Sequence, residues 1–158
     1  LKELCLCPKV PADIVITSNN GYPLDQNIYQ AVKGMTAGEA TCREGGVIIM
    51  VAAYNDGHGG ESFLHTMTQD LTPARILEQI QSTPKQDTVP DQWESQILAR
   101  ILSKHQVVLV SECDPELVKA MKMHPATDLR EALALAEQLL GNPGTITVIP
   151  EGISAIII

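Results

Sequence analysis

The chain has 158 residues, is 44% hydrophobic and carries a net charge of −8, with a pI near 4.8. That is one domain's worth of material with enough apolar mass for a core. Its eleven Lys and Arg are scattered, which excludes the clustered positive charge that nucleic acid requires, and there is no run of about 18 apolar residues to span a membrane.

The opening "LKELCLCPKV" has neither the basic start nor the long apolar middle of a signal peptide. The chain begins on Leu1 and stops at "SAIII" with no polar cap, so the expectation is a piece of a longer protein. Cys5, Cys7, Cys42 and Cys113 match neither a structural zinc spacing nor a disulfide framework. They read as reduced thiols of a cytoplasmic protein, with a metal at Cys5 and Cys7 as the lesser alternative.

In chain order, "ADIVITS" (Ala12 to Ser18) is a β-branched run ending in the turn formers Asn19, Asn20 and Gly21, hence a strand and a loop. A helix follows over Ile28 to Met35, with Asp25 as its expected N-cap. "TAGE" (Thr36 to Glu39) has the form of a capping box, Thr36 bonding forward and Glu39 back. "GGVIIMVAA" (Gly45 to Ala53) is a continuous apolar run, as in a strand buried on both faces. After the glycine-rich "NDGHGG" (Asn55 to Gly60) and "ESFLHTM", Thr72 caps a helix with Pro73 at its first position, where the missing N–H costs nothing; it runs to about Gln81.

"STPKQDTVP" is a linker loop. Asp91, with Glu94 three residues later, starts a helix through Leu102 whose core stripe is Ile97, Leu98 and Ile101. "QVVLVS" (Gln106 to Ser111) is a third strand, then come a short helix near Glu116 to Met121 and a capped helix from Asp128 to Leu140. Gly141 suits its C-terminal turn. "TITVIP" is a fourth strand and "ISAIII" a possible fifth. Strands that alternate with helices and read as apolar runs predict an α/β fold: a three-layer α/β/α domain with a mostly parallel sheet of four to five strands. Ligands in such folds sit beyond the carboxyl ends of the strands. The loops "TSNNGYP", "YNDGHGG" and "SECDP" fall there.

"NDGHGG" admits two readings. Its backbone N–H groups would suit an anion at a helix N-terminus; alternatively it is a tight loop needing positive φ at Gly57, Gly59 and Gly60. It is neither a Walker loop nor GxGxxG. His58 and His65 have no third partner at a metal spacing and read as structural or solvated, and His105 and His124 lie at element ends. No nucleophile elbow, zincin motif or Cys/His pairing is visible. Trp93, the only tryptophan, sits one turn before Ile97, either as a core anchor or as an aromatic wall offered to a ligand or partner domain.

The helix "NIYQAVKG" carries the most pointed pattern. Ile28, Val32 and Met35 make an ordinary core stripe, while Tyr29, Gln30 and Lys33 stand roughly opposite. These three are either a solvated face, or a flat aromatic, an amide and a cation suited to a small carboxylate with a neighbouring hydroxyl.

"ADIVITSNNGYPLDQNIYQAVKGM", followed by "ATCREGGVIIMVAA" and "DGHGGESF", resembles the C-terminal domain of the nickel-dependent lactate racemase (LarA) family. The likeness covers nearly the whole chain, and the Tyr-Gln-x-x-Lys helix with the later tryptophan makes it specific. It implies residues 1–11 as an interdomain linker remnant and 12–158 as the C-terminal α/β domain. Members of the family racemise lactate or related 2-hydroxy acids by reversible hydride transfer to a nickel-pincer nucleotide. Its acid–base histidines, cofactor lysine and nickel ligand belong to the N-terminal domain, so neither cofactor nor metal is expected on this chain.

By the same resemblance, Lys33 and Gln30 support catalysis by holding the substrate carboxylate, and Tyr29 and Trp93 line the pocket. The implied partners are the chain's own N-terminal domain and a small 2-hydroxy acid such as lactate. Such a fragment would not act alone. The alternative is a non-catalytic α/β ligand-binding or interaction module; an upstream gene segment with the histidines and cofactor lysine would separate the two.

Overall fold

The structure, a computed structural model, describes residues 5–158; residues 1–4 of the expected linker lie outside the described residues. The central sheet has five parallel strands, in the order β5-β4-β3-β2-β6: β2 (Ala12–Ser18), β3 (Cys42–Val51), β4 (Gln106–Val110), β5 (His124–Ala126) and β6 (Ile146–Ile149). A separate two-stranded sheet joins β1 (Leu6–Cys7) to β7 (Ile156–Ile157). The expected three-layer α/β architecture is therefore present, with its strands differently shared out. "ISAIII" pairs outside the main sheet, and the fifth strand is "HPA", which offers three residues and a proline and so no run to read. Pro125 is tolerated because β5 is an edge strand.

Alternation along the strands separates two cores. Val15, Ile48, Met50, Val107 and Leu109 face one side, where α1 (Ile28–Thr41), α2 (Glu61–Met67), α3 (Pro73–Ser82), α4 (Gln92–Leu102) and α5 (Pro115–Ala120) gather. Ile14, Val47, Ile49, Val108 and Val110 face the other, covered by α6 (Leu129–Leu140) through Ala132 and Ala136. No helix among the described residues is long and apolar enough to cross a membrane.

Helix α1 differs from expectation at both ends. Its N-cap is Asn27, whose side chain accepts from the Gln30 N–H; Asp25 instead accepts from the Ala53 N–H at 3.1 Å. Nor does "TAGE" act as a capping box, because the stripe of Ile28, Val32 and Met35 continues without a break through the buried Ala37 and Gly38. Thr36 donates back to the Lys33 carbonyl at 2.6 Å, and Glu39 takes a two-pronged ion pair from Arg100 of α4 at 2.9 and 2.6 Å. That pair and the α1–α4 packing fix the two helices side by side. Their N-terminal turns meet at the carboxyl edge of the sheet.

Candidate functional site

Loop 19–27 and loop 52–60 are laced together before α1 begins. The Tyr54 N–H donates to Asp25 O, and the Asp56 N–H to Gln26 O. The Ile28 and Tyr29 N–H groups then donate to the carbonyls of Gly57 and His58 at 3.0 and 3.1 Å. The glycine-rich loop thus presents carbonyls, not N–H groups, to the helix N-terminus. Within the loop, Gly57 N–H is held by Tyr54 O and Gly60 N–H by His58 Nδ1, so neither is free for an anion. Gly57 and Gly59 have φ of 62° and 88° as expected, but Gly60 is extended at −179°. At Gly59 a Cβ would lie 2.6 Å from Asn27 Cγ and 2.8 Å from Tyr29 Cβ, so the loop closes directly over α1.

This anchoring puts Tyr29, Gln30 and Lys33 on the flank of α1 that faces α4. All three are half-buried, not solvated. The Tyr29 ring packs edge-on against Phe63 at 5.6 Å and against Trp93 at 5.9 Å between centroids. Its hydroxyl donates to the Asp91 carboxylate at 3.1 Å. Burial and then the Asp91 bond push the phenol up to about 12, so it stays a neutral donor at physiological pH.

Lys33 Nζ donates to Gln30 Oε1 at 2.6 Å and lies 5.6 Å from the Tyr29 ring centroid. With the Gln30 oxygen occupied, its amide N–H₂ remains a donor, beside an ammonium with N–H groups to spare. An ammonium and an amide donor side by side suit a small carboxylate. Trp93 is 50% exposed, so it is no core anchor; it stands as an open aromatic wall next to Tyr29.

The four residues marked by the sequence therefore form one cluster. Two acids beside it were read only as helix-start signals. Asp91 sits in the left-handed region at φ 62° and gives its carboxylate to Tyr29, so it makes no side-chain cap. Glu94 is fully buried, and neither of its oxygens has a hydrogen-bond partner. Burial pushes its carboxyl up to about 7; Lys33 opposes this and Asp91 adds to it. The usable signal was position: Glu94 directly follows the tryptophan, on the turn that faces Tyr29.

The histidines stay outside the cluster. His58 is 3.7 Å from Glu61, His65 is exposed, and His105 is buried and pushed down by desolvation. His124, read at an element end, opens β5 and lies 2.8 Å from the Gln106 side chain. A neighbouring groove of about 750 Å³, lined by Glu61, His65, Gln79 and Gln92 among others, has no lysine or arginine in its walls. The four cysteines are free thiols, and no three His, Cys, Asp or Glu side chains converge on a metal-sized site among the described residues.

The family model described as "Lactate racemase C-terminal domain" matches residues 7–157. The chain is 53% identical to a lactate racemase of Thermoanaerobacterium thermosaccharolyticum and 51% identical to one of Lactiplantibacillus plantarum, in each case over 99% of this chain and 37% of the relative. The solved structure of the lactate racemase apoprotein from T. thermosaccharolyticum superposes with a TM-score of 0.95 at 54% identity, covering 99% of this chain and 38% of that one. The chain thus spans just over a third of the length of these relatives.

Proposed function

The chain belongs to the lactate racemase C-terminal domain family, and from that premise we propose that it supplies one wall of the substrate site of a 2-hydroxy-acid racemase, closed by an N-terminal domain of the same protein. The observation that carries this reading is the cluster itself. Lys33 and Gln30 stand side by side, an ammonium bonded to an amide, and Tyr29 and Trp93 form an aromatic wall at the edge of the sheet where ligands of such folds sit.

A carboxylate held there fixes the substrate's Cα relative to whatever faces it. Orientation of this kind is worth several kcal/mol in a reaction whose partners must meet in one geometry. The aromatic wall and the covering domain keep water away. Lactate is the proposed substrate, by analogy with the named activity of the relatives.

The nickel-pincer nucleotide implied by the resemblance is, in this proposal, held by residues outside this chain. We assign it to the N-terminal domain, where it would supply the hydride acceptor. A cytoplasmic location belongs to the same proposal, supported by the free thiols. The test is nickel quantitation with a chiral lactate assay, on the 158-residue chain and on the two-domain protein. Turnover only in the latter is expected; turnover by the chain alone would overturn the division of labour.

A further inference from the structure

Glu94 lies beside the cluster, the substrate-wall reading leaves it unused, and its placement is costly. A fully buried carboxyl whose two oxygens both lack a partner is a rare arrangement among native acids. The first turn of α4 explains how it arises. Asp91 is turned towards Tyr29, and its carbonyl accepts the N–H groups of Glu94 and Ser95. Glu94 makes no capping-box bond back to that turn and lies in the seam between α1 and α4.

Among the described residues, Lys33 is the one cation whose charge reaches it. From α1 it also meets the neutral Tyr29, and from its own turn Asp91. The charges of the other packed helices point elsewhere. Glu61 and His65 of α2 are exposed, Arg75 and Glu78 of α3 pair with each other, and Arg100 of α4 is taken by Glu39 of α1.

We propose that Glu94 is the proton partner of the Lys33 site: when a substrate carboxylate engages the Lys33 ammonium, Glu94 takes a proton from solvent and becomes the neutral acid, releasing it when the site empties. The proposal rests on the reading of Lys33 as a carboxylate-binding residue. Its physical basis is simple. One ammonium in a half-buried site balances one anion, and a second carboxylate drawn beside it raises the affinity of Glu94 for a proton. The upward shift by burial already leaves the group poised for that change near neutral pH. Because binding free energies are reciprocal, proton and substrate then favour each other. Glu94 is a positioning residue here, acting on substrate through Lys33.

The experiment is the pH dependence of KM for lactate in the two-domain, cofactor-loaded racemase, for wild type, Glu94→Gln and Lys33→Ala. For wild type, KM should rise above neutrality by up to tenfold per pH unit, the limit for one linked proton. Glu94→Gln should flatten that rise, a change that a merely structural role would not produce. An unchanged slope in Glu94→Gln, with binding lost in Lys33→Ala, overturns the proton coupling and leaves the carboxylate reading standing. An unchanged KM in Lys33→Ala overturns both. Should the glutamine variant fail to fold, carboxyl NMR of the wild-type protein decides: the Glu94 midpoint should move up on adding lactate, and a fixed midpoint overturns the proposal.

Discussion

The Tyr29 hydroxyl donates to the Asp91 carboxylate across 3.1 Å, joining helix α1 to the first turn of α4 over 62 residues of chain. This bond takes Asp91 away from helix capping and sets the Tyr29 ring between Phe63 and Trp93. Tyr29→Phe keeps both ring contacts and removes only the bond. It should lower the stability of the chain by about 1 kcal/mol, read as a shift in the urea midpoint at unchanged slope. An unmoved midpoint would mean that the bond contributes nothing.

Glu94 makes stability fall as pH rises. Its carboxyl sits at about 7 in the folded chain against an ordinary 4.5, so between those values the folded state binds more protons than the unfolded one. The contribution is complete below about pH 4.5 and is lost as pH passes 7, with a loss on the order of 3 kcal/mol at most. Asp13, held low by Thr145 and Arg43, and Glu131, held low by Thr127, titrate beneath that window. Thermal unfolding of wild type and Glu94→Gln at pH 5 and pH 8 isolates the group. The wild type should lose more on going to pH 8; parallel losses would contradict the account.

Gly34 lies mid-helix, where alanine ordinarily stabilises by about 1 kcal/mol. Here a Cβ would stand 2.5 Å from Asn19 Oδ1 and 3.0 Å from the Ser18 carbonyl. Asn19 in turn donates to the Gln30 and Leu24 carbonyls and so steadies the turn bearing Gln30. Gly34→Ala should therefore destabilise by about 1–3 kcal/mol. A raised melting temperature would refute this.

Trp93 is half exposed and leans on Tyr29 by its edge, so Trp93→Ala should cost the chain only about 1 kcal/mol in stability. In the two-domain protein, turnover should fall tenfold or more. Equal turnover would take Trp93 out of the pocket wall.

Much of this was legible in the residues. The long apolar strands announced a parallel sheet, and the Ile28, Val32, Met35 stripe fixed which side of α1 is core. What spacing alone left undecided was the opposite flank, because whether Tyr29, Gln30 and Lys33 meet water depends on α4, more than fifty residues away. Two misreadings share a cause. Asp25 and "TAGE" have the local chemistry of caps, and each was diverted by a long-range partner: the Ala53 N–H and Arg100. Asp91 does open α4 as read, but its carboxylate goes to Tyr29 and Glu94 is buried in place of capping. Strand β5 stayed hidden because three residues with a proline carry no periodicity.

The central claim is that Lys33 holds the substrate, and the direct measurement is lactate racemisation by the two-domain protein carrying Lys33→Ala or Lys9→Ala, followed by chiral assay. Lys33 stands in the cluster at 2.6 Å from Gln30, whereas Lys9 is an exposed lysine beside the β1 strand. The account predicts turnover reduced by a hundredfold or so in Lys33→Ala, the scale of about 3 kcal/mol for a lost charged contact, and near wild-type rates in Lys9→Ala. Equal activities in the two variants would contradict it.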